Sequence, residues 1–283
     1  MLVPQPVPER HYGAVFASLA PARRRLAIGA LAVVLVAILI AALASVLGRS
    51  GGAAKAAPVA QDVAGPVLLL PGYGGSTGGL NTLAQRLRAG GKDATVVSLP
   101  DNAEGDLAAQ AKVVATAAKA ALARTGASSV DVVGYSAGGV VARLWLKQYG
   151  GAAITRRLVT LGSPQHGTAL AALGSLLAGE CPLACQQLVP TSPILTALNT
   201  APELPAGPAV VSLWTSKDLV VLPPDSAVLT GALNIEIQSV CPSSVVDHTH
   251  LPTDPLVAAM VAAELGTAAP VALGPADCAR LSG

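Results

Sequence analysis

The segment from Ser129 to Arg143 (SVDVVGYSAGGVVAR) constrains the fold of this chain more than any other stretch. A β-branched run, Val130 to Val133, ends in Gly134-Tyr135-Ser136-Ala137-Gly138 and passes at once into an amphipathic helical pattern. That order predicts a strand, a sharp turn and a helix, with Ser136 at the apex. Glycines two before and two after the serine are required because a Cβ at Gly134 or Gly138 would collide with its neighbours in so tight a turn. The bare G-x-S-x-G pattern is weak evidence. The strand before it and the helix after it give it weight, and they read Ser136 as a raised nucleophile rather than a structural turn serine.

Around that segment the chain alternates. Strand-like runs at 66–70, 95–99, 130–133, 157–161, 209–214 and 234–240 are separated by helical patterns at 80–89, 107–124, 138–147 and 254–265. Such alternation predicts an α/β fold with a mainly parallel sheet covered by helices on both faces, and ligands at the carboxyl ends of the strands. Residues 168–199 interrupt the rhythm with two helical pieces, 169–178 and 192–198, around Cys181-Pro182-Leu183-Ala184-Cys185. We read this as an excursion over the site. The loop Pro71-Gly72-Tyr73-Gly74-Gly75-Ser76 lacks both glycine-rich nucleotide fingerprints, so its backbone amides are expected to face an oxyanion instead of a phosphate.

Leu26 to Leu47 is 22 residues without a charge. At about 1.5 Å per residue this can cross a hydrocarbon core of about 30 Å. Arg23, Arg24 and Arg25 precede it and Arg49 follows, an asymmetry that orients the N-terminus inside and the remainder outside. A cleavable signal is the alternative: its apolar core is normally about 7–15 residues, and Ala53-Ala54 and Ala56-Ala57 offer a cleavage site. The expected organisation is therefore a cytoplasmic tail at 1–25, a transmembrane signal anchor at 26–47, a linker at 48–64 and a catalytic domain at 65–283. The domain would face the cell exterior from the membrane, or be secreted after cleavage. Beyond residue 50 the chain carries 13 basic against 15 acidic residues. No basic excess is left to neutralise phosphates, which argues against nucleic acid as a partner.

A serine hydroxyl needs a base within hydrogen-bond reach and an acid to orient that base. There are four histidines. His11 lies before the apolar run, His166 follows the serine closely, and His248 and His250 come late. The order serine, acid, histidine that accompanies this type of turn selects the late pair. A zinc site built on His248 and His250 would want further ligands, and nearby only Asp247 is available. Asp218 follows the strand at 209–214 by a short loop and is the expected acid; Asp225 is the runner-up, and Asp247 is too close to His248 in sequence. The backbone amides of Ala137 and Tyr73 are expected to form the oxyanion hole. This chemistry requires no cofactor and no metal.

Five landmarks in order carry a resemblance: Leu70 to Gly75, Gly134 to Gly138, Leu161 to Thr168 (LGSPQHGT), Thr215 to Val221 (TSKDLVV) and Val240 to Leu251. With them the chain resembles the α/β-hydrolase superfamily in its minimal form, especially the small secreted triacylglycerol lipases and esterases of actinomycete bacteria. The resemblance implies a lipase or carboxylesterase that works through an acyl-enzyme on a lipid or small-molecule ester. Such lipases usually have His-Gly in the first loop where this chain has Pro71-Gly72, a departure that bears on loop structure, since that histidine is not the catalytic one. His166 resembles part of a family turn and is expected to be structural. In these lipases the catalytic histidine is followed three positions later by a core leucine, which selects His248, with Leu251, over His250. Four cysteines lie beyond residue 50 and allow three pairings. The short separation of the first two and the resemblance favour Cys181–Cys185 and Cys241–Cys278. Two rival readings are an acyltransferase using the same acyl-serine and a catalytically silent, membrane-anchored binding protein of the same fold.

Overall fold

The apolar runs assemble into one parallel sheet in the computed structural model, which describes residues 20–49, 59–176 and 181–282. Its strands are β1 (Val67–Leu70), β2 (Ala94–Val96), β3 (Val130–Tyr135), β4 (Thr155–Leu161), β5 (Ala209–Trp214) and β6 (Leu233–Glu236), in the order β2-β1-β3-β4-β5-β6. Every neighbouring pair is parallel. Helices α2 (Gly78–Ala89), α3 (Leu107–Thr125) and α4 (Ala137–Gln148) connect the first four strands. The excursion carries α5 (Ala169–Leu176), α6 (Leu183–Gln187) and α7 (Pro193–Leu198). After β6 come α8 (Ile237–Val240), α9 (Pro255–Glu264) and α10 (Cys278–Leu281).

Successive strand residues point to opposite faces, and the two cores follow that alternation. Val67 and Leu69 join a core with α2 and α9, whereas Leu68 and Leu70 join another with α3 and α4. Burial on both faces is why β1 reads as a continuous apolar run. Local chemistry sets the helix ends: Asp106 accepts from the amides of Ala108 and Ala109 to start α3, and Gly126, in the left-handed conformation, ends it.

Two strands differ from expectation. β2 stops at Val96 rather than reaching residue 99. The run 234–240 divides into edge strand β6 and the single turn α8. An apolar run of this length fits a strand or a buried helical turn equally well, and tertiary partners decide. Here the Gln238 side chain reaches back to Thr215 Oγ1 and to the amide of Ser216, which bends the chain toward the end of β5. The short helix α6 within the excursion was also not expected.

The chain divides into two compact units, Met1–Ala56 and Ala57–Gly283. The first contains α1, a 29-residue helix from Pro21 to Arg49, whose described side chains include the exposed Leu35, Ile38 and Leu39. Among the described residues no helix is long and apolar enough to cross a membrane. The expected anchor at 26–47 lies within this helix. Side chains of 42–49, the expected tail up to residue 19, and linker residues 50–58 lie outside the described residues.

At the amino ends of the strands, the Arg156 and Asp131 side chains pair at 2.5 Å with both fully buried. Arg156 also donates to the carbonyls of Gln61, Leu265 and Gly266, and Arg157 to those of Glu264 and Ala268. These bonds fasten the segments before β1 and after α9 to the sheet. Removing one partner of a buried pair leaves an uncompensated charge. Asp131→Ala is therefore expected to lower unfolding free energy by about 3–5 kcal/mol. Urea denaturation checks this; a loss within error would mean that the carbonyls alone satisfy the guanidinium.

Candidate active site

β3 ends at Tyr135 and α4 begins at Ala137, so the whole reversal falls on Ser136, with φ 52° and ψ −128°. A non-glycine residue held there costs about 1–3 kcal/mol and needs its surroundings to hold it. The Ser136 amide donates to the carbonyl of Leu161 at 2.8 Å, which ties the turn to the end of β4. A Cβ at Gly134 would lie 2.5 Å from Cα of Gly139, and one at Gly138 2.5 Å from the carbonyl oxygens of Leu70 and Pro71. Only glycine fits at either position.

Asp218 follows β5 and is 3% exposed. One carboxylate oxygen accepts from the amides of Val220 and Val221 at 2.8 and 2.7 Å. The other bonds to His248 Nδ1 at 2.7 Å, and His248 Nε2 lies 3.0 Å from Ser136 Oγ. Since the ionised carboxylate can only accept, Nδ1 carries a proton and Nε2 is left facing the hydroxyl as the acceptor. The structure thus brings Ser136, Asp218 and His248 into one hydrogen-bonded chain. Asp225 is exposed in the turn Pro224–Ala227. Asp247 accepts from the Thr249 and His250 amides and bonds to the exposed His250 ring; the Thr249 hydroxyl and then His250 hold its carboxyl down at about 2. His166 contacts Glu203 and the Ser226 carbonyl at the edge of the excursion, in keeping with a structural position.

Ala137 opens α4, so its amide is among the first four of the helix, which have no intrahelical acceptor. Across from it the loop after β1 comes so close that a Cβ at Gly72 would lie 2.8 Å from Ser136 Cβ. That approach leaves the next residue, Tyr73, lining a cavity together with Ser136. The cavity is about 190 Å³, and its remaining walls include Ala171, Leu188 and Val221. A larger groove of about 850 Å³ lies between α6 and α7, away from the three residues, and is lined by Pro182, Leu183 and Ile194.

Several contributors were not assigned from sequence. The Tyr135 hydroxyl donates to the His248 carbonyl at 3.2 Å, its ring centroid lies 5.3 Å from the imidazole, and burial followed by the nearby Asp218 charge raises its pKa to about 12. Thr168, the last residue of the LGSPQHGT landmark, is another. Its hydroxyl donates to Val220 at 2.7 Å and accepts from Leu222 at 3.0 Å, bracing the loop whose amides hold Asp218. The signal was present as a hydroxyl residue just before α5, where a helix cap would have been the ordinary reading.

Disulfides join Cys181 to Cys185 and Cys241 to Cys278, with Cα separations of 5.2 and 5.1 Å. Cys185 lines the cavity beside Ser136, and the Cys241–Cys278 bridge anchors the segment leading to His248 on α10.

In general, a serine hydroxyl hydrogen-bonded to a histidine base can attack phosphorus as well as carbon electrophiles. Thr168→Val is expected to slow labelling of Ser136 by a fluorophosphonate about tenfold, the loss of one to two net hydrogen bonds. Thr168→Ser should restore the rate. Equal slowing in both variants would show that the methyl group, not the hydroxyl, matters.

Residues 66–198 match the palmitoyl protein thioesterase family. No curated protein matches the chain. Among solved structures, Aspergillus fumigatus lipase B is similar with a TM-score of 0.65 and 22% identity, over 77% of this chain and 54% of that one. The propeptide form of a Bacillus licheniformis lipase is similar with a TM-score of 0.58 and 18% identity, again over 77% and 54%. The chain thus spans about half the length of these two lipases. From its sheet order to its strand-to-helix turn, the unit beyond Ala57 has the α/β-hydrolase fold of the lipases and esterases it is similar to.

Proposed function

We propose that this protein is a serine-dependent carboxylic-ester hydrolase of the lipase and esterase type. The observation that carries the reading is the chain of hydrogen bonds from Asp218 through His248 to Ser136, 2.7 and 3.0 Å long. His248 takes the proton of Ser136 as the hydroxyl attacks the acyl carbonyl, and Asp218 stabilises the imidazolium that forms. The tetrahedral oxyanion is met by the amides of Ala137 and Tyr73. Collapse expels the alcohol, protonated by His248, and leaves an acyl-Ser136 ester. Water, deprotonated by the same imidazole, attacks that ester and releases the acid.

The family match over 66–198 favours a second acyl linkage for the same site, a thioester. Both linkages place the same carbonyl before Ser136 and differ only in the leaving group. We further propose that the catalytic unit is exported and held at the membrane by residues 26–47. Support comes from the 22 uncharged residues and from two disulfides, which persist in oxidising surroundings. Activity should then fractionate with membranes; a soluble mature chain starting near residue 58 would overturn the anchor.

A chromogenic ester assay tests the main reading. Ser136→Ala and His248→Ala are each expected to lower kcat about 10⁴-fold or more, and Asp218→Asn about 10⁴-fold. His250→Ala should stay near wild type, because that ring faces solvent on Asp247. Full activity in Ser136→Ala would falsify the mechanism. Loss in His250→Ala with retention in His248→Ala would reassign the base. Product analysis with an added acceptor alcohol separates hydrolysis from acyl transfer.

A further inference from the structure

We infer that the cavity beside Ser136 measures the acyl chain and selects acyl groups of about six to eight carbons. This rests on the ester-hydrolase reading and deepens it. The cavity volume is about 190 Å³. An apolar protein cavity of about 150 Å³ holds benzene, six carbons, so a space of this size accommodates roughly seven or eight. Ligand sites for larger molecules run from about 300 Å³ upward. A sixteen-carbon chain would overfill the space about twofold.

The lining suits an alkyl chain and little else. Apart from the hydroxyls of Ser136, Tyr73 and Thr168 it is built from Pro164, Leu170, Ala171, Cys185, Leu188, Val220 and Val221. The Thr168 hydroxyl is already committed to Val220 and Leu222, and Cys185 is oxidised. Among the described residues no charged side chain lines the space. An acyl group bound there therefore gains from burial alone, about fourfold in kcat/KM for each methylene that enters.

Two side chains set the limit. Leu188 is 5% exposed and packs in the same core as Ala171, Ala184 and Leu195, so its isobutyl group is a fixed wall. Ala171, on the facing helix α5, is 7% exposed and contributes only a methyl. The walls cannot retreat freely. The Thr168 amide donates to the Leu188 carbonyl at 3.1 Å, and the Ala169 amide donates to the Leu222 carbonyl at the base of α5. Chain length is read by a space whose two sides are tied down, so a longer acyl group meets either packed side chains or water.

The test is kcat/KM for one chromogenic alcohol esterified with acyl groups from two to sixteen carbons, all presented in the same detergent micelle. The expected profile rises about fourfold per methylene and breaks at six to eight carbons, with no further gain beyond. Leu188→Ala, which deletes three carbons from the wall, is expected to move the break two to three carbons longer. Ala171→Val, which adds two, should move it about two shorter. Because the two variants push in opposite directions, a folding defect in one leaves the other as the test. A rise that continues through twelve or sixteen carbons, a flat profile from two to six, or a break unmoved by either folded variant overturns the size limit. Absence of hydrolysis at every length would instead overturn the ester-hydrolase reading itself, and the two failures are distinct.

Discussion

The backbone conformation of Ser136 is the constraint on which the rest of the catalytic unit depends. With φ at 52° the residue sits where L side chains are unfavourable, and it stays there because β3 and α4 pull the chain in opposite directions and its amide is bonded to Leu161. The consequences spread outward. α4 must start close against the end of β1, which excludes a Cβ at Gly138, and the loop after β1 must pass just above the serine, which excludes one at Gly72. A single strained residue thus fixes the relative positions of the first loop, the central strand and the helix that carries the Ala137 amide.

The sheet divides its labour between its two ends. At the amino ends of the strands lie Arg156 and Arg157, whose guanidinium groups donate to carbonyls of segments that would otherwise be loose connections, and Asp131, which pairs with Arg156. At the carboxyl ends lie Ser136, the Asp218 loop and the His248 turn. Parallel strands make this possible, because every connection that leaves a strand in the same direction delivers its loop to the same edge. Stability and chemistry can then be altered separately, one end at a time.

The excursion from Thr168 to Asn199 is coupled to the site through contacts that include Thr168. Thr168 begins the excursion and braces residues 220–222, while the amides of Val220 and Val221 hold the Asp218 carboxylate. The cap that shapes the cavity and the loop that holds Asp218 are therefore one hydrogen-bonded unit. On α5, Leu170 and Leu173 remain 47% and 55% exposed, and Leu170 also lines the cavity.

Much of this was legible in the chain itself, and the reasons are local. The turn at Ser136 needs small residues at fixed offsets, so it leaves a pattern within five residues. Strands buried on both faces are largely apolar, so they stand out as runs between helical periods. Other features depend on distances closed only by packing. Ser136 Oγ and His248 Nε2 are 112 residues apart in sequence and 3.0 Å apart in space. His248 and His250 differ by two positions, yet one side chain is 5% exposed against Asp218 and the other 67% exposed on Asp247. The bend at Ile237 and the size of the cavity leave no pattern in the residues around them, and the hydroxyl of Thr168 reads locally as an ordinary helix cap. The sequence by itself determined the order of elements and the kinds of side chain available, because local sterics and periodicity suffice for that. Only the tertiary structure decided which carboxylate faces which imidazole, and how much room remains beside the serine, because those are set by how distant segments pack.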